Sequence, residues 1–252
     1  MTRAFMYRIA VFTTLMMTLL STHAEPSKNL SVTASPWSPF VSRDLPDSGL
    51  AVSIAMTALQ RAGYEPSFAL QQWPNDLEET RLGRYDVIAS LWFTEERNRE
   101  LVFSRPIFEN RVKLMVRADS DILISDLEAL KGYRVGVVED YAYTQGAYGG
   151  LAVDFVKTGS VEENLQLLLS GEIDIAVVDE TVALYVLNNK IPGGIKQIRF
   201  VDITVSTRAL RIAVSRKRSD AEQIVTGFDA ALQSMKDDGT YLDILHQFRV
   251  SP

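Results

Sequence analysis

Apolar and polar residues follow two kinds of pattern along this chain, one typical of strands and one typical of helices, and the two occur in regular succession. Short, continuous apolar runs indicate buried strands, and longer segments with apolar residues three or four positions apart indicate helices. A strict alternation of strand and helix is typical of parallel sheets that are covered by helices, so we expect an α/β fold. The predicted strands are 30–34, 67–71, 86–89, 134–138 and 174–178, and the predicted helices are 49–62, 75–82, 161–169, 180–188 and 241–248.

Two further segments, 111–117 and 209–216, alternate basic and apolar residues as half-buried strands do. If the chain leaves a first lobe through one of them and returns through the other, that first lobe is discontinuous. We therefore expect lobe 1 at 27–113 plus 210–252 and lobe 2 at 114–209. Two crossover strands of this kind form a hinge, so that a ligand can be enclosed between the lobes.

The first 24 residues have the three parts of a secretory signal peptide. Arg3 and Arg8 precede an apolar run of twelve residues, and small residues follow it up to Ala24. A membrane helix needs about twenty apolar residues, so we expect cleavage and release into the periplasm; the alternative is an uncleaved N-terminal anchor. Cleavage removes two of the 26 basic residues and none of the 32 acidic ones, so the net charge moves from −6 to −8.

The composition excludes several function classes. An acidic chain without a cluster of lysine and arginine lacks the positively charged surface that binds nucleic acid. The chain contains no cysteine, which excludes disulfides, cysteine-based metal sites and the acceptor of an N-terminal lipid anchor. His246 alone remains after cleavage, and one histidine cannot form a multi-histidine metal site. We expect no metal, no cofactor and a monomer.

The most informative motif lies between residues 85 and 110. A buried strand ends at Ser90-Leu91-Trp92, Thr94 is placed to cap a helical turn, and Arg97 lies in that turn. Backbone amides, a hydroxyl, an indole and a guanidinium then surround one point, which suits a small anion. With Phe103-Ser104-Arg105-Pro106 further on, the segment resembles the T-x-E-R and F-S-x-P stretch of the extracytoplasmic solute-binding proteins, family 3, which serve polar amino-acid ABC transporters.

The resemblance covers nearly all of the mature chain. It implies the two-lobed periplasmic binding protein fold of type II, in which each lobe is a mostly parallel sheet flanked by helices. It also implies that the protein captures an amino acid or a related small zwitterion and delivers it to an ABC transporter permease. No enzymatic reaction is then needed, and the partners are a small-molecule ligand and the permease.

Two charged residues are the central candidates for ligand binding. A guanidinium can hold a carboxylate in two parallel hydrogen bonds, and Arg97 falls at the position of the family's carboxylate-binding arginine. A surface arginine that pairs with Glu96 or Glu100 is the alternative. Asp179 ends a strand at the edge where ligands bind, and the resemblance implies that it takes the ligand's ammonium group. The alternatives are that Asp179 is an ordinary N-cap of the following helix or that it serves as both cap and ligand contact.

Aromatic residues follow the ends of several predicted strands. Trp37, Trp73 and Trp92 each come after a strand on the predicted cleft side, and aromatic faces there can stack on apolar groups or attract cations. Ser90 lies near a position that gives backbone contacts in the family. Tyr141, in the loop 139–143, either receives a cationic group or belongs to a solvated loop.

Trp92 departs from the family pattern, since the usual amino-acid binder has a threonine there. An indole fills volume and removes an acceptor, which favours a flatter, smaller or more apolar ligand. One alternative function is an enzyme on the same scaffold, similar to cyclohexadienyl dehydratases, with Glu180 or Glu139 as general acid. Another is a protein that senses a ligand for a membrane receptor.

Overall fold

The structure is a computed structural model that describes residues 28–139, 141 and 153–250. The predicted signal peptide, residues 1–24, lies outside the described residues. The strands are β1 (Asn29–Ala34), β2 (Glu65–Leu70), β3 (Val87–Trp92), β4 (Leu101–Phe103), β5 (Phe108–Arg117), β6 (Arg134–Val138), β7 (Asp154–Thr158), β8 (Ile175–Asp179) and β9 (Ile198–Ser215). The helices are α1 (Leu50–Arg61), α2 (Asn75–Arg81), α3 (Glu95–Asn98), α4 (Val161–Ser170), α5 (Glu180–Asn189), α6 (Ala221–Asp237) and α7 (Thr240–Gln247).

The described strands pair into one mixed sheet in the order β2-β1-β3-β9-β5-β8-β6-β7, and β4 pairs with β9 beside this path. Strand β1 pairs in parallel with β2 and β3, and β6 pairs in parallel with β7 and β8. The pairs that involve β5 or β9 are antiparallel. We call β1–β4 with α1–α3 the first half, and β6–β8 with α4 and α5 the second half. The predicted α/β fold is confirmed, and β1–β3 and β6–β8 pair in parallel as expected, but the antiparallel strands β5 and β9 join them into one mixed sheet.

Two long strands carry the chain between the halves. Strand β5 pairs with β8 of the second half, and β9 pairs with β5 and then with β3 and β4 of the first half. The crossover segments predicted at 111–117 and 209–216 lie on these strands, but β9 begins earlier, at Ile198. Its first part is half-exposed and carries polar residues such as Asp202, so the apolar pattern did not predict a strand there. The predicted lobe boundaries fall inside β5 and β9 and stay a prediction.

Apolar side chains from the strands and helices form an extensive core that reaches through both halves, and a smaller separate cluster lies in the first half around Ile88 and Leu101. Helix α6 was missed by the sequence prediction, although Ile224, Phe228, Leu232 and Met235 lie on one face and are almost fully buried. It packs against α1 and α7. Among the described residues, no helix is long and apolar enough to cross a membrane.

Candidate functional site

A cavity opens where β1, β2, β3 and β6 end, which is the edge where ligands bind in open α/β sheets. It contains about 510 Å³ of empty space, counting the part that is open to solvent. The residues that line it are Ser35, Pro36, Trp37, Trp73, Asp76, Ser90, Leu91, Trp92, Arg97 and Tyr141.

The cavity brings together six of the seven residues that the sequence nominated, and the exception is Asp179. Five of the six come from the first half, while Tyr141 follows β6 of the second half. The neighbours of Tyr141 in the nominated loop, residues 140 and 142–143, lie outside the described residues. The geometry supports a shared site, and the binding roles of these side chains stay a prediction.

Arg97 is held in place by its own turn and by the strand before it. The Thr94 hydroxyl accepts a hydrogen bond from the Arg97 backbone N–H at 3.1 Å, which caps α3 as the sequence predicted. The guanidinium Nη1 donates to the Trp92 backbone oxygen at 2.9 Å, and the guanidinium carbon lies 5.3 Å from the centre of the Trp73 ring. The side chain is therefore oriented before any ligand arrives.

The surroundings of Arg97 leave its positive charge available to an anion. Burial, to which the charge of Arg81 adds, lowers the pKa of Arg97, although the guanidinium stays ionised. The alternative of a surface pair is wrong, because Glu96 and Glu100 both pair with Arg81, at 3.3 and 3.1 Å. Arg97 is only 9% exposed and forms no direct ion pair within the described part of the chain.

Aromatic rings from both halves meet in the cavity wall. The Trp37 ring lies 5.3 Å from the Trp92 ring and 5.9 Å from the Tyr141 ring, both in edge-on geometry. The Trp92 and Tyr141 rings are 6.0 Å apart. Trp37 is fixed by a tight turn, in which its backbone N–H donates to the Val41 oxygen at 2.8 Å. Edge-on contacts at these distances are favourable, so the rings form a cohesive wall.

Ser90 lies in a β-bulge on β3. The pairing of β3 with β9 shifts by one residue between Ile88 and Leu91, so the strand carries an extra residue at this point. Bulges re-aim side chains and are common beside functional sites. Ser90 is half-buried and lines the cavity, and its contact with a ligand stays a prediction.

Asp179 serves as the N-cap of α5, which was the alternative interpretation of this residue. Its Oδ1 accepts a hydrogen bond from the Val182 N–H at 2.9 Å, and the side chain is fully buried. Burial raises the pKa of Asp179 to about 7, although the Val182 N–H and the Asn110 amide both oppose this shift. Burial, to which the nearby charge of Asp179 adds, raises the pKa of Tyr141, so the carboxylate lies close to one wall residue without lining the cavity itself.

Four residues that line the cavity were not predicted from the sequence, and Asp76 is the most consequential of them. The other three are Ser35, Pro36 and Leu91. Asp76 lies in the first turn of α2, where an acidic residue ordinarily faces solvent, yet it is only 1% exposed. Nothing in the local pattern distinguishes it from a surface residue. Only its position after Trp73, at the end of a strand, could have pointed to it.

The two glutamates that the enzyme alternative would use as general acid form ion pairs outside the cavity. Glu180 pairs with Arg111 at 2.7 Å and with Lys113 at 3.6 Å on the crossover strand β5. Glu139 accepts a hydrogen bond from Lys157 at 3.0 Å on the exposed surface. Neither glutamate is among the residues that line the cavity. Among the described residues there is also no group of three or more side chains that could hold a metal ion.

Known proteins with related sequences are solute-binding proteins. The lysine/arginine/ornithine-binding periplasmic protein of Escherichia coli strain K12 is 29% identical over 161 residues, which are 62% of this chain and 60% of that relative. ABC transporter arginine-binding protein 1 of the same strain is 25% identical over 79% of this chain and 81% of its own length. The structure of an ancestral arginine-binding protein bound to arginine is 28% identical, with a TM-score of 0.72, and the match covers 88% of this chain and 98% of that chain.

The structural match confirms the predicted two-lobed fold of the periplasmic binding proteins. The sequence model of one family, described as bacterial extracellular solute-binding proteins, family 3, matches residues 30–250. This range contains both halves of the sheet, both crossover strands and every residue that lines the cavity. The chain therefore belongs to the bacterial extracellular solute-binding proteins, family 3.

Proposed function

We propose that this protein captures an amino acid or a related small zwitterion in the periplasm and delivers it to an ABC transporter permease. The observation that carries the proposal is the buried guanidinium of Arg97 in a cavity walled by aromatic rings. A guanidinium matches the two oxygens of a carboxylate, and the interaction is stronger where water is excluded. Amino-acid binding in the related proteins supports the same ligand class.

Closure of the two halves completes this site. Strands β5 and β9 join the halves, and paired connections of this kind allow hinge motion. Tyr141 of the second half contacts Trp37 and Trp92 of the first, so closure covers Arg97 with apolar rings. Asp179 stays our proposed partner of the ligand's ammonium group, because it lies close to Tyr141, the residue that the second half contributes to the cavity wall.

The protein binds its ligand without converting it. Its relatives are binding proteins, and the two glutamates considered for catalysis are engaged in ion pairs away from the cavity. We also propose that residues 1–24 are removed as a signal peptide and that the mature protein is a monomer. Native mass spectrometry of the periplasmic fraction measures both the mature mass and the oligomeric state.

A thermal-shift panel tests the proposed function. The panel contains amino acids, amines, organic acids, sugars, metal ions and prephenate. A ligand at 100 times its dissociation constant stabilises a protein by about 2.7 kcal/mol, so one or a few amino acids should raise the melting temperature. Shifts with sugars or metal ions alone would reject the proposal, and consumption of prephenate would establish the enzyme instead.

A further inference from the structure

The cavity contains a second charged side chain, Asp76, whose role the binding of a simple zwitterion does not explain. Its Oδ1 accepts a hydrogen bond from the Leu77 backbone N–H at 2.8 Å, and burial raises its pKa although the Ser35 hydroxyl opposes this shift. Arg97 is near enough for the two charges to interact, but they form no direct ion pair. Asp76 and Arg97 are the only charged residues among those described that line the cavity.

The hydrogen bonds and the positive charge around Asp76 only partly offset the cost of burying its ionised carboxylate. Burial raises the pKa of Asp76, and the combined effect of Ser35, Leu77 and Arg97 does not cancel that shift. A ligand carboxylate on Arg97 would draw on the same positive charge and leave Asp76 still less compensated. A buried carboxylate without an ion-pair partner is costly, so a positive group that arrives with the ligand would be favoured at this position.

The wall around Asp76 also suits a cation. Trp37, Trp73, Trp92 and Tyr141 all line the same cavity, and aromatic faces attract positive groups. One such contact already exists, since the Arg97 guanidinium lies over the Trp73 ring. A second cation that enters the cavity therefore meets both a carboxylate and aromatic surface.

We infer that Asp76 is a specificity-determining residue that binds a cationic ligand side chain, so that the site selects basic amino acids. The inference rests on the proposed function, because it assumes that the ligand's carboxylate occupies Arg97. Arg97 and Asp76 both belong to the first half, so this half alone would bind one negative and one positive group of the ligand. A purely anionic ligand, such as a dicarboxylic acid, is disfavoured by the same carboxylate.

Matched ligand pairs test the inference by isothermal titration. L-Arginine and L-citrulline have nearly the same shape but differ in the charge of the side chain, and L-lysine and L-norleucine form a second such pair. Loss of one charge-assisted contact at a buried site should separate the members of each pair by about tenfold or more in Kd. In Asp76→Asn the ratio within each pair should collapse towards one, because the basic ligand loses affinity and the neutral one does not.

Asp229→Asn is the matched control, since Asp229 lies on α6 and accepts a hydrogen bond from the Arg105 backbone N–H outside the cavity. This variant should keep the wild-type ratios. Equal affinity of the wild type for both members of each pair would overturn the inference even if Asp76→Asn does not fold. A charge preference that survives in a folded Asp76→Asn would overturn it as well. If no amino acid binds at all, the proposed function itself fails.

Discussion

The indole N–H of Trp92 donates a hydrogen bond to the Asn110 side-chain oxygen, with 3.0 Å between nitrogen and oxygen. Trp92 ends β3 in the first half, whereas Asn110 lies on the crossover strand β5, and both side chains are buried. The backbone oxygen of Trp92 also accepts a hydrogen bond from Arg97. One residue thus connects the proposed carboxylate-binding guanidinium to a strand that joins the halves.

Trp92→Phe should therefore destabilise the ligand-free protein by about 1–3 kcal/mol, the usual cost of leaving a buried polar group unpaired. The substitution removes the donor to Asn110 but keeps most of the aromatic volume. Trp37→Phe is a matched control, because the Trp37 indole nitrogen is buried without a hydrogen-bond partner in the described structure. Urea unfolding of both variants measures the difference, and equal losses would mean that the hydrogen bond contributes nothing.

Arg97→Ala should abolish ligand binding while the melting temperature of the ligand-free protein stays nearly unchanged. The lost contacts with Trp92 and Trp73 are offset, because a buried charge no longer has to be desolvated. Calorimetry gives the melting temperature, and titration with the ligand found in the panel gives the affinity. The exposed Arg99, two residues further on, provides the control Arg99→Ala, which should bind normally. A large fall in melting temperature would show instead that Arg97 is structural.

Tryptophan emission should change when a ligand binds. All three tryptophans of the chain, Trp37, Trp73 and Trp92, line the cavity, so a ligand alters the surroundings of each indole. Fluorescence titration at increasing ligand concentration measures this effect, with a non-binding compound from the panel as control. A saturated complex whose spectrum matches that of the free protein would contradict the placement of the site.

The stability of the protein should depend on pH through Asp179. Burial raises the pKa of this carboxyl from its ordinary 3.8 to about 7, so the folded state keeps a proton that the unfolded chain has lost between these values. The free energy of unfolding contributed by this group therefore falls as pH rises from about 4 to about 7. Asp179→Asn keeps an acceptor for the Val182 N–H and removes the titration.

Urea unfolding at pH 4.5 and 7.5 compares the wild type with this variant, and Asp179→Asn should gain stability relative to the wild type at the higher pH. Asp238→Asn is the control. Hydrogen bonds from Thr240 and Arg61 lower the pKa of Asp238 to about 2, so its titration lies below the tested range. A pH-independent difference between wild type and Asp179→Asn would mean that Asp179 is ionised throughout.

Gly136→Ala should destabilise the second half by about 1–3 kcal/mol, as overpacking of a tight core does. A Cβ at this position on β6 would collide with the Asn164 amide and with Ile173. The Asn164 amide nitrogen donates to the backbone oxygens of Gly136 and Val177, at 3.2 and 3.1 Å, and so ties β6 to β8. Gly227→Ala on α6 is the matched control, since a Cβ there has ordinary contact distances. Unfolding curves that place both variants at equal stability would contradict this account.

The sequence predicts most of the residues that line the cavity. Trp37, Trp73 and Trp92 each follow a predicted strand, and the carboxyl ends of parallel strands meet at one edge of a sheet. That inference needs only the order of the elements along the chain, whereas the prediction for Arg97 rests on the resemblance to the family. The Thr94 cap is predictable because its hydrogen bond is local and joins residues three positions apart.

The tertiary structure decided which polar groups became buried and with what partners. Asp76 has the local pattern of a surface residue, and Asp179 lies at the strand edge without lining the cavity. The hydrogen bond between Trp92 and Asn110, and the long antiparallel pairing of β5 with β9, join residues distant in the chain. Local periodicity reports which face of an element is apolar, but burial of a single polar group depends on neighbours that only the folded chain brings together.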